Sequence, residues 1–353
     1  LVYLNYAAMD KQVLIDTVKE LFASNKGLLA MDESNGTCNK RFAAEGIPQT
    51  VEMRRSYREL IVTTPGLHES IGGAILYDET IRQQTKAGIP IIDVLIKNGI
   101  IPGIKVDTGA KPMAGFTGEK ITEGLDGLRE RLAEYKKMGA RFAKWRGVIT
   151  IGENIPTTGC IEANVHALAR YAALCQETDI VPIIEPEVLM EGNHTLQKCF
   201  DVTEHTLQIL FYQLYQYKID LEGIILKPNM VIAGTKSAEK NSIDEVAEAT
   251  VNCLLKSVPA AVPAIAFLSG GQSPEEASVH LNAMHTNFKN RLPWIATFSF
   301  ARAIQQPALD VWKGQETNVE AAQKLLCQRA KMDAAARRGD YNKNMEKKIK
   351  NKR

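Results

Sequence analysis

Two kinds of hydrophobic pattern alternate along nearly the whole chain. Short apolar runs end on polar or charged residues, and longer stretches with apolar positions at helical spacing lie between them. In residues 10–23, Val13, Leu14, Val18, Leu21 and Phe22 fall on one helical face, and the stretch stops at Asn25, Lys26 and Gly27. Residues 27–31 then form an apolar run that closes on Asp32 and Glu33. The same kind of run recurs at 71–77, 100–104, 142–149, 180–184, 222–227, 264–268 and 294–298, which predicts strands. Helical stretches are predicted at 52–62, 122–138, 161–177, 195–217, 246–258 and 274–284. Near-continuous apolar runs belong to parallel strands covered on both faces.

About eight strand and helix pairs with no break in composition predict an α/β fold, a single (β/α)8 TIM barrel with its active site at the C-terminal ends of the strands. A doubly wound sheet is the alternative, but it usually announces a Gly-rich nucleotide-binding turn after an early strand, and the sequence has none. The barrel is expected to occupy residues 1–339. Residues 340–353, which finish on KKIKNKR, are expected to form a basic, flexible tail.

Composition changes this picture only by exclusion. A chain of 353 residues, 45% hydrophobic and 24% charged with a net charge of +2, gives no reason to invoke nucleic acid or a membrane surface. No apolar run has the length of a membrane span and the first residues lack the layout of a signal peptide, so a soluble, cytoplasmic protein is expected. The cysteines Cys38, Cys160, Cys175, Cys199, Cys253 and Cys327 are scattered without a CxxC pair and read as reduced core residues. His68, His166, His194, His205, His280 and His285 form no close pair, which argues against a metal-dependent reaction.

The candidate chemistry collects where the predicted strands end: Asp32 and Glu33, Lys105 and Asp107, Lys144 and Arg146, Glu185 and Glu187, Lys227, Ser269 and Arg302. Lys144 and Arg146, two residues apart, share one face of their strand. Lys227 is the sharpest of these, because it ends an apolar run just before Pro228. Burial disfavours an ammonium, so a lysine there tends to become a neutral nucleophile able to form a Schiff base with a carbonyl. The competing reading is a lysine that snorkels from the strand end into water. Several cations crowded at one dry mouth imply an anionic ligand. The turn containing Ser269, Gly270 and Gly271 fits a phosphate, because successive glycines let backbone N–H groups approach closely and a helix N-terminus near Ser273 would face the anion. It follows the seventh predicted strand and Arg302 follows the eighth, where barrel phosphate sites are commonly built.

In order and spacing, LLAMDES, IKVD, FAKWR, PIIEPE, LKPNM, FLSGGQS and FSFARA resemble the class I fructose-bisphosphate aldolases of glycolysis over residues 19–339. The resemblance implies a cofactor-free barrel lyase, usually a homotetramer, that cleaves fructose 1,6-bisphosphate to dihydroxyacetone phosphate and glyceraldehyde 3-phosphate. It implies Lys227 as the Schiff-base lysine and Glu185 as the acid and base of carbinolamine dehydration. Asp32 would take the C4 hydroxyl proton, Lys144 would orient the substrate, and Glu187 would support. Ser269, Gly270, Gly271, Ser299 and Arg302 would hold one phosphate, and Arg41 with Lys40 and Lys105 the other phosphate and the entrance, with Arg146 adding positive potential.

Four positions depart from the family pattern: Ala301 stands where glycine is usual, Phe300 where tyrosine is common, Thr108 in place of a lysine and Met31 in place of an alanine. The family's tail ends in a tyrosine that helps protonate the enamine, whereas this sequence ends in Arg353. Two other functions compete: a different Schiff-base barrel enzyme of the transaldolase kind, and a scaffold binding actin or another acidic protein through its basic surface.

Overall fold

The structure, a computed structural model, describes residues 10–346. Its strands in chain order are β1 (Gly27–Ala30), β2 (Ile71–Leu76), β3 (Ile101–Lys105), β4 (Gly109–Pro112), β5 (Lys120–Glu123), β6 (Phe142–Ile149), β7 (Val181–Val188), β8 (Ile225–Leu226), β9 (Ala264–Phe267) and β10 (Ile295–Phe300). All but β4 and β5 pair in parallel and close into a barrel in the order β1-β10-β9-β8-β7-β6-β3-β2, with helices around it. The eight barrel strands are those the apolar runs predict, shifted by a few residues at their ends.

Alternation along each strand separates two cores. Inward residues, among them Leu28, Ile75, Ile101, Phe142, Val181, Ile183, Ile225 and Ala264, form one buried cluster. It includes Leu14, Val18, Leu21 and Phe22 from the helix Lys11–Phe22, which closes that end of the barrel. Outward residues such as Trp145, Ile184 and Leu226 pack against the surrounding helices. The Phe142 ring occupies space vacated by glycines on the neighbouring strands. A methyl at Gly103 would come within 2.1 Å of that ring, and one at Gly73 within 2.9 Å. The far end of the interior is where inward positions of β3, β6 and β7, and of the residues following β1 and β8, turn ionic.

Three expectations are corrected. Residues 122–138 are not one helix: Thr122 lies in β5, which pairs antiparallel with β4, and the helix is Leu128–Met138. Gly124 and Gly127, at φ of 127° and 65°, turn the chain between them. The run 222–227 is regular strand only at Ile225–Leu226, with a short helical turn at Leu221–Gly223 before it. Within the expected tail, residues 340–346 are not free: Tyr341 and Glu346 are buried, and the Tyr341 N–H donates to Asn282 at 2.9 Å. Residues 347–353 lie outside the described residues. Cys38, Cys160, Cys175, Cys199 and Cys253 are buried free thiols, and Cys327 is half-buried.

Candidate active site

The parallel register brings the ionic residues together. Lys105 stands beside Lys144 across β3 and β6, and Arg146 beside Glu185 across β6 and β7. Lys227 follows β8, its N–H extending the ladder to the Ile184 carbonyl at 2.8 Å. The side chain does not snorkel into water. It is 5% exposed, with Nζ 3.0 Å from Glu185 Oε1. Glu185 also lies 3.2 Å from Lys144 Nζ, and Lys144 lies 2.8 Å from Asp32. Glu185 thus contacts both lysines, and Lys144, itself 4% exposed, links it to Asp32.

Electrostatics fix the charge of this cluster. Burial works to raise the Asp32 carboxyl, but Lys144, Lys227 and Lys105 outweigh it and hold Asp32 below the usual carboxylate range. Glu185 is lowered in the same way, burial being overcome by Lys144, Lys227 and Arg146. Burial would lower Lys144, yet Asp32, Glu185 and Asp107 raise it, so it stays an ammonium. Asp107 lies 3.4 Å from Lys105, and Arg146 bonds Glu187. The cations of the mouth thus already have internal carboxylate partners, so crowding of positive charge does not by itself demand an anion.

The case for an anionic ligand rests on the opposite wall. Gly271 has φ +76°, and a methyl there would come within 2.6 Å of Met190 Cβ, so both conformation and space require glycine. The helix Pro274–Phe288 starts immediately after the turn, with Ser273 and Glu276 forming a capping box. Ser299, next to Leu28 across the barrel seam, is buried with its hydroxyl unpartnered among the described residues. Arg302 opens the helix Arg302–Trp312, is exposed, and has no ion-pair partner among the described residues. An unpaired guanidinium, a buried free hydroxyl and a helix N-terminus, carried at the ends of the adjacent strands β9 and β10, are groups of the kind that bind anions.

Other expected residues sit differently. Arg41 is 11% exposed and is turned toward Glu33, with Gln306 at 3.2 Å, so its charge is engaged inside the wall of the barrel. Lys40 is exposed, and Lys105 lies with its ammonium 5.8 Å from the Tyr77 ring. The sequence reading missed the network behind Asp32. Arg58 donates to the Glu33 carboxylate at 2.8 Å and to its carbonyl at 3.2 Å. Gln305 donates to the Ala30 carbonyl at 2.6 Å, and the Tyr57 hydroxyl donates to Gln305 at 3.0 Å. Glu33 beside Asp32 is the signal for it, because a carboxylate on the outward face of a buried strand end requires a cation from a helix.

Comparison with known proteins shows the family of this chain. The profile of the family described as Glycolytic: Fructose-bisphosphate aldolase class-I matches residues 13–353. A probable fructose-bisphosphate aldolase class 1 of Xylella fastidiosa is 55% identical over 334 residues, covering 94% of this chain and 99% of that protein. A cytosolic fructose-bisphosphate aldolase of Arabidopsis thaliana is 46% identical over 336 residues, covering 95% of this chain and 85% of that protein. Among solved structures, the fructose-bisphosphate aldolase of Plasmodium falciparum, in complex with TRAP and a small-molecule inhibitor, superposes with a TM-score of 0.92 at 44% identity. That match covers 94% of this chain and 95% of the other. A barrel with a buried lysine at its mouth, matched end to end at this identity, belongs to the class I fructose-bisphosphate aldolase family.

Proposed function

We propose that this chain reversibly cleaves fructose 1,6-bisphosphate to dihydroxyacetone phosphate and glyceraldehyde 3-phosphate through a Schiff base on Lys227. The observation that carries the reading is the buried Lys227 side chain, with Nζ held 3.0 Å from the Glu185 carboxylate. Glu185 takes a proton from Lys227, and the neutral amine attacks the C2 carbonyl of the open-chain sugar. Glu185 then returns that proton to the departing hydroxyl, so water leaves and an iminium remains. Asp32, ionised beside Lys144, takes the C4 hydroxyl proton as the C3–C4 bond breaks, and the electron pair flows into the iminium to give an enamine. Lys144 stays protonated and orients the substrate oxygens. Ser269, Gly270, Gly271, Ser299 and Arg302 hold one phosphate. Lys105 and Arg146 lend positive potential at the entrance, and Arg41 reaches the second phosphate only by leaving Glu33.

Borohydride reduction with substrate, followed by mass spectrometry, tests the reading. Wild type should carry one reduced sugar phosphate on Lys227. Lys227→Met should fold, carry none and lose turnover by several orders of magnitude. An adduct on Lys144 or Lys105 with Lys227→Met still active would overturn it. The adduct also separates cleavage from a scaffold role. A cytoplasmic location and a homotetramer belong to the same reading, supported by the relative named cytosolic and by the family resemblance; sedimentation velocity tests the assembly. No described helix is long and apolar enough to cross a membrane. The expected actin-like or other acidic partner would meet the basic surface, and the Lys-rich end, residues 347–353, lies outside the described residues.

A further inference from the structure

A second buried ionic cluster lies away from the lysines. Arg329, in the helix Val319–Arg338, is 2% exposed. It donates to the Pro274 carbonyl at 2.9 Å and to the Ser278 hydroxyl at 2.8 Å, and it pairs with Glu346. Asp333, fully buried one turn along the same helix, accepts from Ser278 at 2.6 Å and lies 3.7 Å from Arg329. The Tyr341 hydroxyl donates to Glu346 at 2.8 Å. Pro274 is the first residue of the helix that follows the glycine turn, and Gln272 N–H closes that turn on the Ser269 carbonyl at 3.2 Å.

One guanidinium therefore serves two carboxylates and the first turn of the helix that faces the phosphate turn. Burying such a cluster is costly unless each member is satisfied, and Asp333 Oδ2 has no hydrogen-bond partner among the described residues. We propose that Arg329, Asp333 and Glu346 form a clasp that positions the phosphate turn by fixing the start of the helix Pro274–Phe288, and that the clasp loosens when Asp333 ionises. The proposal rests on the reading of residues 269–272 as a phosphate site.

The groups facing Asp333 set the direction. Arg329 comes from its own helix, Ser278 from the helix Pro274–Phe288, and Glu346 from the C-terminal segment, where Tyr341 also faces Glu346 and Arg329. Burial pushes the Asp333 carboxyl up to about 7, with Arg329 and Ser278 opposing. Its pKa is higher folded than unfolded, so the stability it lends is full below the ordinary carboxylate range and is lost as pH rises through about 7. Ionised, Asp333 competes with Glu346 and Pro274 for Arg329, and the helix start is released.

The test is binding of inorganic phosphate by titration calorimetry, together with KM and kcat for fructose 1,6-bisphosphate, from about pH 6 to about pH 8. Asp333→Asn imitates the protonated acid, and comparison with wild type at each pH removes the ligand's own ionisation. Wild type should match this variant at the acid end and bind phosphate about threefold more weakly than it at the alkaline end, with kcat within about twofold. Glu346→Gln should weaken phosphate binding and raise KM about fivefold at the acid end, with kcat again little changed. Should Glu346→Gln fail to fold, Tyr341→Phe removes one hydrogen bond to the same carboxylate and should move KM the same way by less.

A constant ratio of wild type to Asp333→Asn across pH, or unaltered phosphate binding in the foldable Glu346 or Tyr341 variant, would overturn the clasp. Wild type that binds phosphate with this pH dependence but forms no Lys227 adduct would instead sink the aldolase reading and leave the clasp standing. Normal turnover in wild type with clasp variants indistinguishable from it would sink the clasp alone.

Discussion

Arg302 and Lys144 show how differently two basic residues of the proposed site are held. Lys144 is enclosed by Asp32, Glu185 and Asp107, so its position is part of the barrel's own charge balance. Arg302 is exposed and unpaired among the described residues, so the fold spends nothing on it. Arg302→Ala should therefore leave the thermal midpoint nearly unchanged while raising KM for the bisphosphate about ten- to a hundredfold, the worth of a charged hydrogen bond. Unfolding of that variant with an unchanged KM would make Arg302 structural. The neighbouring departure is compatible with this: Ala301, at φ −107°, needs no glycine. Phe300 and Met31 are both buried in the outer core, so these departures pack against helices and leave the mouth untouched.

At the scale of elements, the barrel's inner layer depends on a size match between strands. Phe142 at the start of β6 is large where Gly73 in β2 and Gly103 in β3 are small. Gly103→Ala forces the ring or the strand to move, and the register that sets Lys105 beside Lys144 runs through this pair. The variant should lose about 1–3 kcal/mol of stability, measured as a fall in urea midpoint at unchanged slope, and turnover should fall with it. A variant as stable as wild type would show that the layer has slack. The stretch 122–138 teaches the opposite lesson about elements. Its spacing suits a helix throughout, yet Thr122, opposite Ala110 of β4, donates its hydroxyl to the Arg146 carbonyl at 2.7 Å and its N–H to Asn164 Oδ1 at 3.4 Å. Tertiary pairing outweighs a weak local preference there.

For the molecule as a whole, the decisive property is that eight strand ends converge on one mouth. Carboxylates and ammonium groups drawn from β3, β6 and β7, and from the residues following β1 and β8, neutralise one another there. The electron sink of the proposed reaction is then the iminium on Lys227 itself, so cleavage should persist undiminished in excess chelator. Activity abolished by chelator and restored by zinc would defeat that expectation. Steady-state cleavage coupled to reduction of the triose phosphate product is the measurement.

Hydrophobic period alone determined the barrel and the identity of its strands, because a buried parallel strand must be apolar on both faces and few folds accommodate eight of them. The same period placed Asp32, Lys105, Lys227 and Ser269 at strand ends and Lys144 on a strand face, whereas Glu185, expected just past the run 180–184, lies within β7. Sequence also carried the turn at Ser269, Gly270 and Gly271 and the cap at Ser273, since both are local in the chain. Only tertiary structure decided partners. That Glu185 lies between Lys144 and Lys227, that Arg41 turns to Glu33, and that Glu346 reaches Arg329 all depend on residues distant in sequence. Register and closure bring such groups within a few ångströms, and a one-dimensional pattern holds no record of distance between them.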